Sequence, residues 1–215
     1  MTSLLFKWGS RGVQAPEEDF SVPADAAGTV AASKVLPRFI SALSLRPAPV
    51  LLDLGPVVGP NISFFGDRLS CKIHVADLYA EVEAQARAGS REGLTEAMNG
   101  RIHHAAESID GILCWDLFDF LDRASGQRLA ARLTRLLRPG GVLYGFFGAS
   151  QANLTSYTRF FVEAMNTLRL RPSPATLTAR TVLTTRDINR MFEGLTVAES
   201  ILLKTSTRET LFRKP

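Results

Sequence analysis

The sequence predicts an α/β fold, with a mostly parallel sheet, helices on both faces, and an antiparallel strand added at the C-terminal end. Three observations predict it. Residues 50–61 read as strand, tight loop and helix. Short apolar runs of strand length then alternate with helix-length amphipathic segments, the pattern of a parallel sheet. Finally, Thr196 to Leu203 and Arg208 to Arg213 are strand-like and separated by about four turn residues, which fits a closing hairpin.

The first of these stretches organises the chain. Val50 to Leu54 is a short apolar run, as expected of a strand buried on both faces. Gly55 breaks it and can take a sharp turn. A second break follows at Gly59-Pro60, and Pro is favoured in the first turn of a helix, where its missing N–H costs nothing. In an open α/β sheet a ligand binds outside the carboxyl ends of the strands, at such a loop. The loop is neither G-x-G-x-x-G nor GxxxxGK[ST], because Val57 stands two residues after Gly55 and no Lys-Ser/Thr follows Gly59.

Length and composition bound the rest. The chain has 215 residues, enough for one domain with a sizeable core. Residues 1–24 lack sustained periodicity and read as an N-terminal arm, with residues 25–215 as the domain. Leu4, Leu5, Phe6 and Trp8 form an apolar cluster in the arm, for packing on the domain flank, covering a site mouth, or a homodimer contact. No run approaches the ~20 apolar residues of a membrane span, and the start has no secretory pattern, so a cytoplasmic location away from membranes is expected. Cys71 and Cys114 fall in or beside strand-like runs and read as buried thiols. His74, His103 and His104 have no metal-ligand spacing, so no metal is expected. The net charge of +4 comes from scattered Arg and Lys, a solvated surface rather than a nucleic-acid interface.

The elements follow in order. Residues 25–45 carry apolar residues at a spacing of roughly 3–4 and read as an amphipathic helix, kinked or split at Pro37. After Pro60 a short helix is expected, then a strand over 71–77. Asp77 lies 22 residues after Gly55, a position suited to ribose hydroxyls, or it caps the next helix. Val82 to Ala88 and Arg91 to Met98 look helical, and residues 99–108 show no confident strand. Ile109 to Asp116 is a buried strand from which Trp115 and Asp116 emerge beside Gly55 and Asp77. Trp115 either lines a pocket or packs, and Asp116 either meets a ligand or caps residues 117–121. Gln127 to Leu137 is a clean helix, with Ser125 as its cap. Leu136-Leu137-Arg138-Pro139-Gly140-Gly141 turns into the next strand. Residues 148–180 could be helix or strand, with Arg169, Arg171 and Arg180 read as surface. Thr185 to Phe192 reads as a short helix.

D-L-G-P-V-V-G at 53–59 resembles motif I of the class I S-adenosyl-L-methionine (SAM) dependent methyltransferases, commonly D/E-x-G-x-G-x-G. Asp53, Gly55 and Gly59 match it, and Val57 replaces the middle Gly. Asp77, the 109–116 strand, the L-R-P-G-G turn and the terminal hairpin fall in the family's order, so the resemblance covers about residues 50–213. Uncharacterised bacterial members are the nearest likeness. The resemblance implies a Rossmann-like seven-stranded sheet, SAM as cofactor, and methyl transfer to an acceptor, a small molecule before other classes. It implies Asp53, Gly55, Pro56, Gly59, Asp77, Leu78, Trp115 and Asp116 as cofactor-binding residues. Asp119 stands where many members carry a His, so no catalytic His is transferred. Asp116 and Tyr157 are the candidates for a base. Acceptor choice in the family is usually built in the segment equivalent to 148–180. The alternative is a non-catalytic methyltransferase-like subunit acting through a protein partner.

Overall fold

The computed structural model describes residues 28–90 and 92–215. The N-terminal arm, its apolar cluster and the homodimer contact assigned to it lie outside the described residues, as does Arg91.

The central sheet has the order β3-β2-β4-β5-β9-β8. Strands β2 (Val50–Asp53), β3 (Lys72–Val75), β4 (Ile109–Trp115) and β5 (Leu137–Gly148) run parallel. The expected terminal hairpin is β8 (Thr196–Leu202) and β9 (Thr207–Arg213), with β9 inserted antiparallel between β5 and β8.

The described residues form six strands in this sheet where seven were expected. Residues 101–108 contribute none: Ile102 is fully buried, but the His-His-Ala-Ala-Glu run after it has no apolar stretch to fill a strand, so β3 is left at the edge.

Alternating side chains send each central strand into two cores, as period 2 demands. Leu52, Ile112 and Leu143 pack under helices α3 (Leu78–Arg87), α4 (Leu94–Gly100), α5 (Arg123–Leu136) and α6 (Thr185–Met191). Leu51, Leu113 and Tyr144 pack under α1 (Leu36–Leu43) and α2 (Gly59–Leu69). Both cysteines are buried and free.

Three local expectations are corrected. The first half of the 25–45 segment is strand β1 (Thr29–Ala32), and Pro37 sits in the first turn of α1, starting that helix instead of kinking it. Thr29 and Val30 are β-branched and find a partner strand in β7 (Thr167–Ala179), which local periodicity does not reveal. The cap of α5 is Asp122, whose carboxylate accepts from Ser125 N at 2.9 Å, and the helix begins four residues earlier than expected. The helix read over 117–121 is a single 3-10 turn (Leu117–Phe120), and Asp116, read as either its cap or a ligand contact, makes no side-chain cap bond to it.

The undecided segment 148–180 is a long antiparallel ribbon of β6 (Asn153–Ala164) and β7 (Thr167–Ala179). With β1 it makes a second, three-stranded sheet. Strand β1 pairs with β7 only over Thr167 to Leu170, so the edge beyond has no strand partner among the described residues and tolerates Pro172 and Pro174, which lack an N–H. Asn61 in the first turn of α2 holds the ribbon down: its Nδ2 donates to Phe160 O at 2.8 Å and its Oδ1 accepts from Val162 N at 2.8 Å.

Candidate functional site

The carboxyl ends of β2, β3 and β4 bring most of the expected residues together. Asp53 ends β2, and its buried Oδ1 accepts from Gly55 N at 2.8 Å and from Trp115 Nε1 at 2.7 Å. The first bond folds the loop back on the strand, and the second ties the loop to β4. Burial raises the Asp53 carboxyl to about 6 even though both bonds favour the ionised form.

Gly55 is required by packing. A Cβ there would lie 2.7 Å from Trp115 Cδ1 and 2.8 Å from its Nε1. Trp115 itself takes the left-handed backbone, with φ 50°, costly for a bulky residue and characteristic of constrained sites. Its indole is buried and stacks on Phe160 of β6, with centroids 4.9 Å apart.

The rest of the loop is open. Val57 is 62 % exposed, so the residue that replaces the middle glycine stays out of the packed core. A Cβ on Gly59 would meet nothing within 4 Å. The amides of Val57, Val58 and Gly59 have no partner among the described residues, as is usual at a helix N-terminus.

Asp77 stands just beyond β3, also left-handed with φ 47°. It occupies the N-cap position of α3, yet its side chain makes no cap bond and no other bond among the described residues. Pro56 is partly buried beside the loop. Leu78 is fully buried, and its N–H donates to Leu54 O at 3.0 Å, so it anchors α3 to β2.

Asp116 follows Trp115. It caps nothing: Oδ1 accepts from Tyr79 Oη at 2.5 Å and Oδ2 from Thr158 N at 3.3 Å. Burial raises its carboxyl. Tyr157 packs edge-on against Tyr79 and Phe120, and its hydroxyl is raised by burial and by Glu83.

Sequence reasoning missed a second cluster. Asp119, in the 3-10 turn, accepts from Gly148 N at 2.8 Å and pairs with Arg180 Nε at 2.9 Å. Burial pushes the Asp119 carboxyl to about 7, against the pull of Gly148 N–H and Arg180. Arg180, read from sequence as surface, is only 17 % exposed. A cavity of about 210 Å³ opens here, bounded by Asp116, Asp119, Arg180, Phe146, Thr158 and Phe160. It adjoins the motif I crevice, because Asp116 follows Trp115 and Phe160 stacks on it. The one available signal was Asp119 inside an otherwise apolar run, L-F-D-F-L.

Among the described residues no group of His, Cys, Asp or Glu could hold a metal ion, and no helix is long and apolar enough to cross a membrane.

Comparison with known proteins agrees with this architecture. Residues 52–145, from β2 into β5, match a family described as "Methyltransferase domain". The PH0226 protein of Pyrococcus horikoshii OT3 superposes with a TM-score of 0.50 at 12 % identity, covering 79 % of this chain and 83 % of that one. An S-adenosylmethionine-dependent methyltransferase from Clostridium acetobutylicum ATCC 824 superposes with a TM-score of 0.50 at 13 % identity, covering 86 % and 92 %. No curated protein matches the chain. Residues 52–145 thus resemble a methyltransferase domain, and the chain has the Rossmann-like α/β fold of these solved structures.

Proposed function

We propose that this protein transfers a methyl group from SAM to a small-molecule acceptor, with the donor seated across the carboxyl ends of β2, β3 and β4. The observation that carries this reading is Asp77: a carboxylate without a protein partner, held by a left-handed backbone beside an open helix N-terminus. An N-cap aspartate normally bonds the helix it precedes. This one is left free for hydroxyl donors such as those of a ribose. The unpartnered amides of Val57 to Gly59 and the open side of Gly59 fit a polar ligand at the loop.

When bound, SAM supplies an electrophilic methyl on a sulfonium that is already a good leaving group. The residues of this chain therefore serve mainly to align donor and acceptor at roughly 3–3.5 Å. In this reading Gly55 and Trp115 form the floor, fixed by Asp53, and Asp77 holds the ribose. The β6–β7 ribbon, tied down by Asn61, excludes water from above.

Calorimetric titration with SAM and S-adenosylhomocysteine tests the reading. Micromolar affinity is expected. Asp77→Ala should weaken it by the ~1.5–3 kcal/mol of hydrogen bonds to a charged group without lowering the melting temperature. Unchanged affinity would remove Asp77 from the site. No binding of either ligand at millimolar concentration would favour the non-catalytic reading, whose support is the Trp115 indole resting on Gly55.

A further inference from the structure

The cavity beside the crevice has a lining that selects by charge. Its charged groups are Asp116 at the end of β4, Asp119 in the 3-10 turn and Arg180 after β7. Arg180 is matched by Asp119 at 2.9 Å, and its Nη1 also donates to Ser150 O at 3.2 Å. Asp116 has no cation against it: it accepts from the Tyr79 hydroxyl and, over a longer 3.3 Å, from Thr158 N, and the Thr158 side chain also bonds it, all neutral donors. An anion entering here would meet an uncompensated buried carboxylate, whereas a cation would offset one. The Phe146 and Phe160 rings lie stacked 4.9 Å apart in the same wall, a surface for an apolar body or for a cation over a ring face.

Resting on the methyl-transfer reading, we propose that this cavity takes the acceptor as a small amine with an apolar or aromatic body, and that Asp119 receives the proton its nitrogen gives up. The ammonium form enters, matched by the net negative charge that the lining carries when Asp116 and Asp119 are both ionised against the single Arg180. Asp119 keeps lone pairs beyond those used by Gly148 N and Arg180, and takes one N–H proton to become a carboxylic acid. The freed nitrogen lone pair forms the new bond to the methyl carbon. The carbon–sulfur bond breaks with its electron pair going to sulfur, and the products are a methylated ammonium and a neutral thioether. Asp119 then returns its proton to solvent. Burial poises Asp119 for this near neutral pH, and the groups facing it are Asp116, Arg180, the Tyr79 hydroxyl and Gly148 N–H.

The test uses the full chain with benzylamine and phenylacetate, a cation and an anion of similar size, by calorimetry and thermal melting with and without S-adenosylhomocysteine. Benzylamine should bind and raise the melting temperature, and phenylacetate should not. Benzylamine affinity should rise about tenfold from pH 6 to pH 8, as a carboxyl titrating near 7 ionises. Asp119→Asn, which keeps an acceptor for Gly148 N, should lose that pH dependence and most of the affinity. Thr205→Phe, an exposed residue at the cavity mouth, should block benzylamine without touching the core. Both variants should bind S-adenosylhomocysteine as the parent does. Tighter binding of phenylacetate, or benzylamine binding that survives both variants, would overturn the assignment. Thioether binding without benzylamine binding would sink the amine alone, whereas no thioether binding would sink the methyl-transfer reading.

Discussion

Gly55 is where one atom decides the site. The missing Cβ lets the Trp115 indole lie against the loop, and that contact in turn lets Nε1 reach the Asp53 carboxylate. Gly55→Ala must displace the indole or the loop. The expected cost is about 1–3 kcal/mol, as for overpacking in a close-packed interior. Urea unfolding reads the cost, and the Trp115 indole N–H resonance should move as its bond to Asp53 breaks. A variant as stable as the parent, with that resonance unmoved, would mean that the loop tolerates a side chain. Asp53 and Gly55 could be picked out from sequence because motif spacing carries them. Trp115 stayed open between lining and packing, since its role depends on Phe160, which is 45 residues away and on another sheet.

At the scale of elements, the β6–β7 ribbon is the distinctive addition to the sheet. Asn61 joins it to α2 by two bonds that imitate strand pairing at the free edge of β6. Asn61→Ala leaves a buried carbonyl and a buried amide unpaired. At about 1–3 kcal/mol for each of the two unsatisfied groups, the loss should be about 2–6 kcal/mol. Hydrogen exchange should quicken at Val162 before the central strands respond. Protection unchanged there would show that the ribbon is held by its aromatic contacts alone. No local signal announced this element, because Tyr157, Phe160, Phe161 and Val162 fit a helix face or a strand equally well. The terminal hairpin was legible because two alternating runs flank a turn, and the L-R-P-G-G turn because proline and glycine act locally.

For the whole molecule, the buried carboxylates set the pH response. Asp53 is raised from 3.8 to about 6 and Asp119 from 3.8 to about 7. Between the unfolded and folded values the native state holds protons that the unfolded chain has released, so stability falls as pH rises from about 4 to 7. Glu83 is held low by Thr176 and Arg87, and Asp187 by Arg123 and Thr184; their contributions are lost below about pH 4. Stability should therefore peak in mild acid, near pH 4–5. Urea unfolding across this range checks it. Asp53→Asn keeps the acceptor for Gly55 N and should remove its own share of the slope, roughly 3 kcal/mol from a shift of about two pK units. A parent curve that climbs from pH 5 to 7 would contradict the account.

The sequence by itself determined what depends on neighbours along the chain. It set the strand–loop–helix at 50–61, the buried strand at 109–115, the hairpin at 196–213, the α/β class and the placing of Asp53, Gly55, Asp77 and Asp116 on one rim. These rest on hydrophobic period and on glycine and proline, whose effects reach only a few residues. Tertiary structure alone decided the rest. It turned residues 29–32 into a strand by giving them β7 as partner, and it left six strands in the sheet among the described residues by giving 101–108 none. It also buried Arg180 against Asp119 and closed a cavity between β4, β5 and the ribbon. Pairing, burial and charge compensation are properties of what a residue meets across space, and no local pattern encodes that meeting.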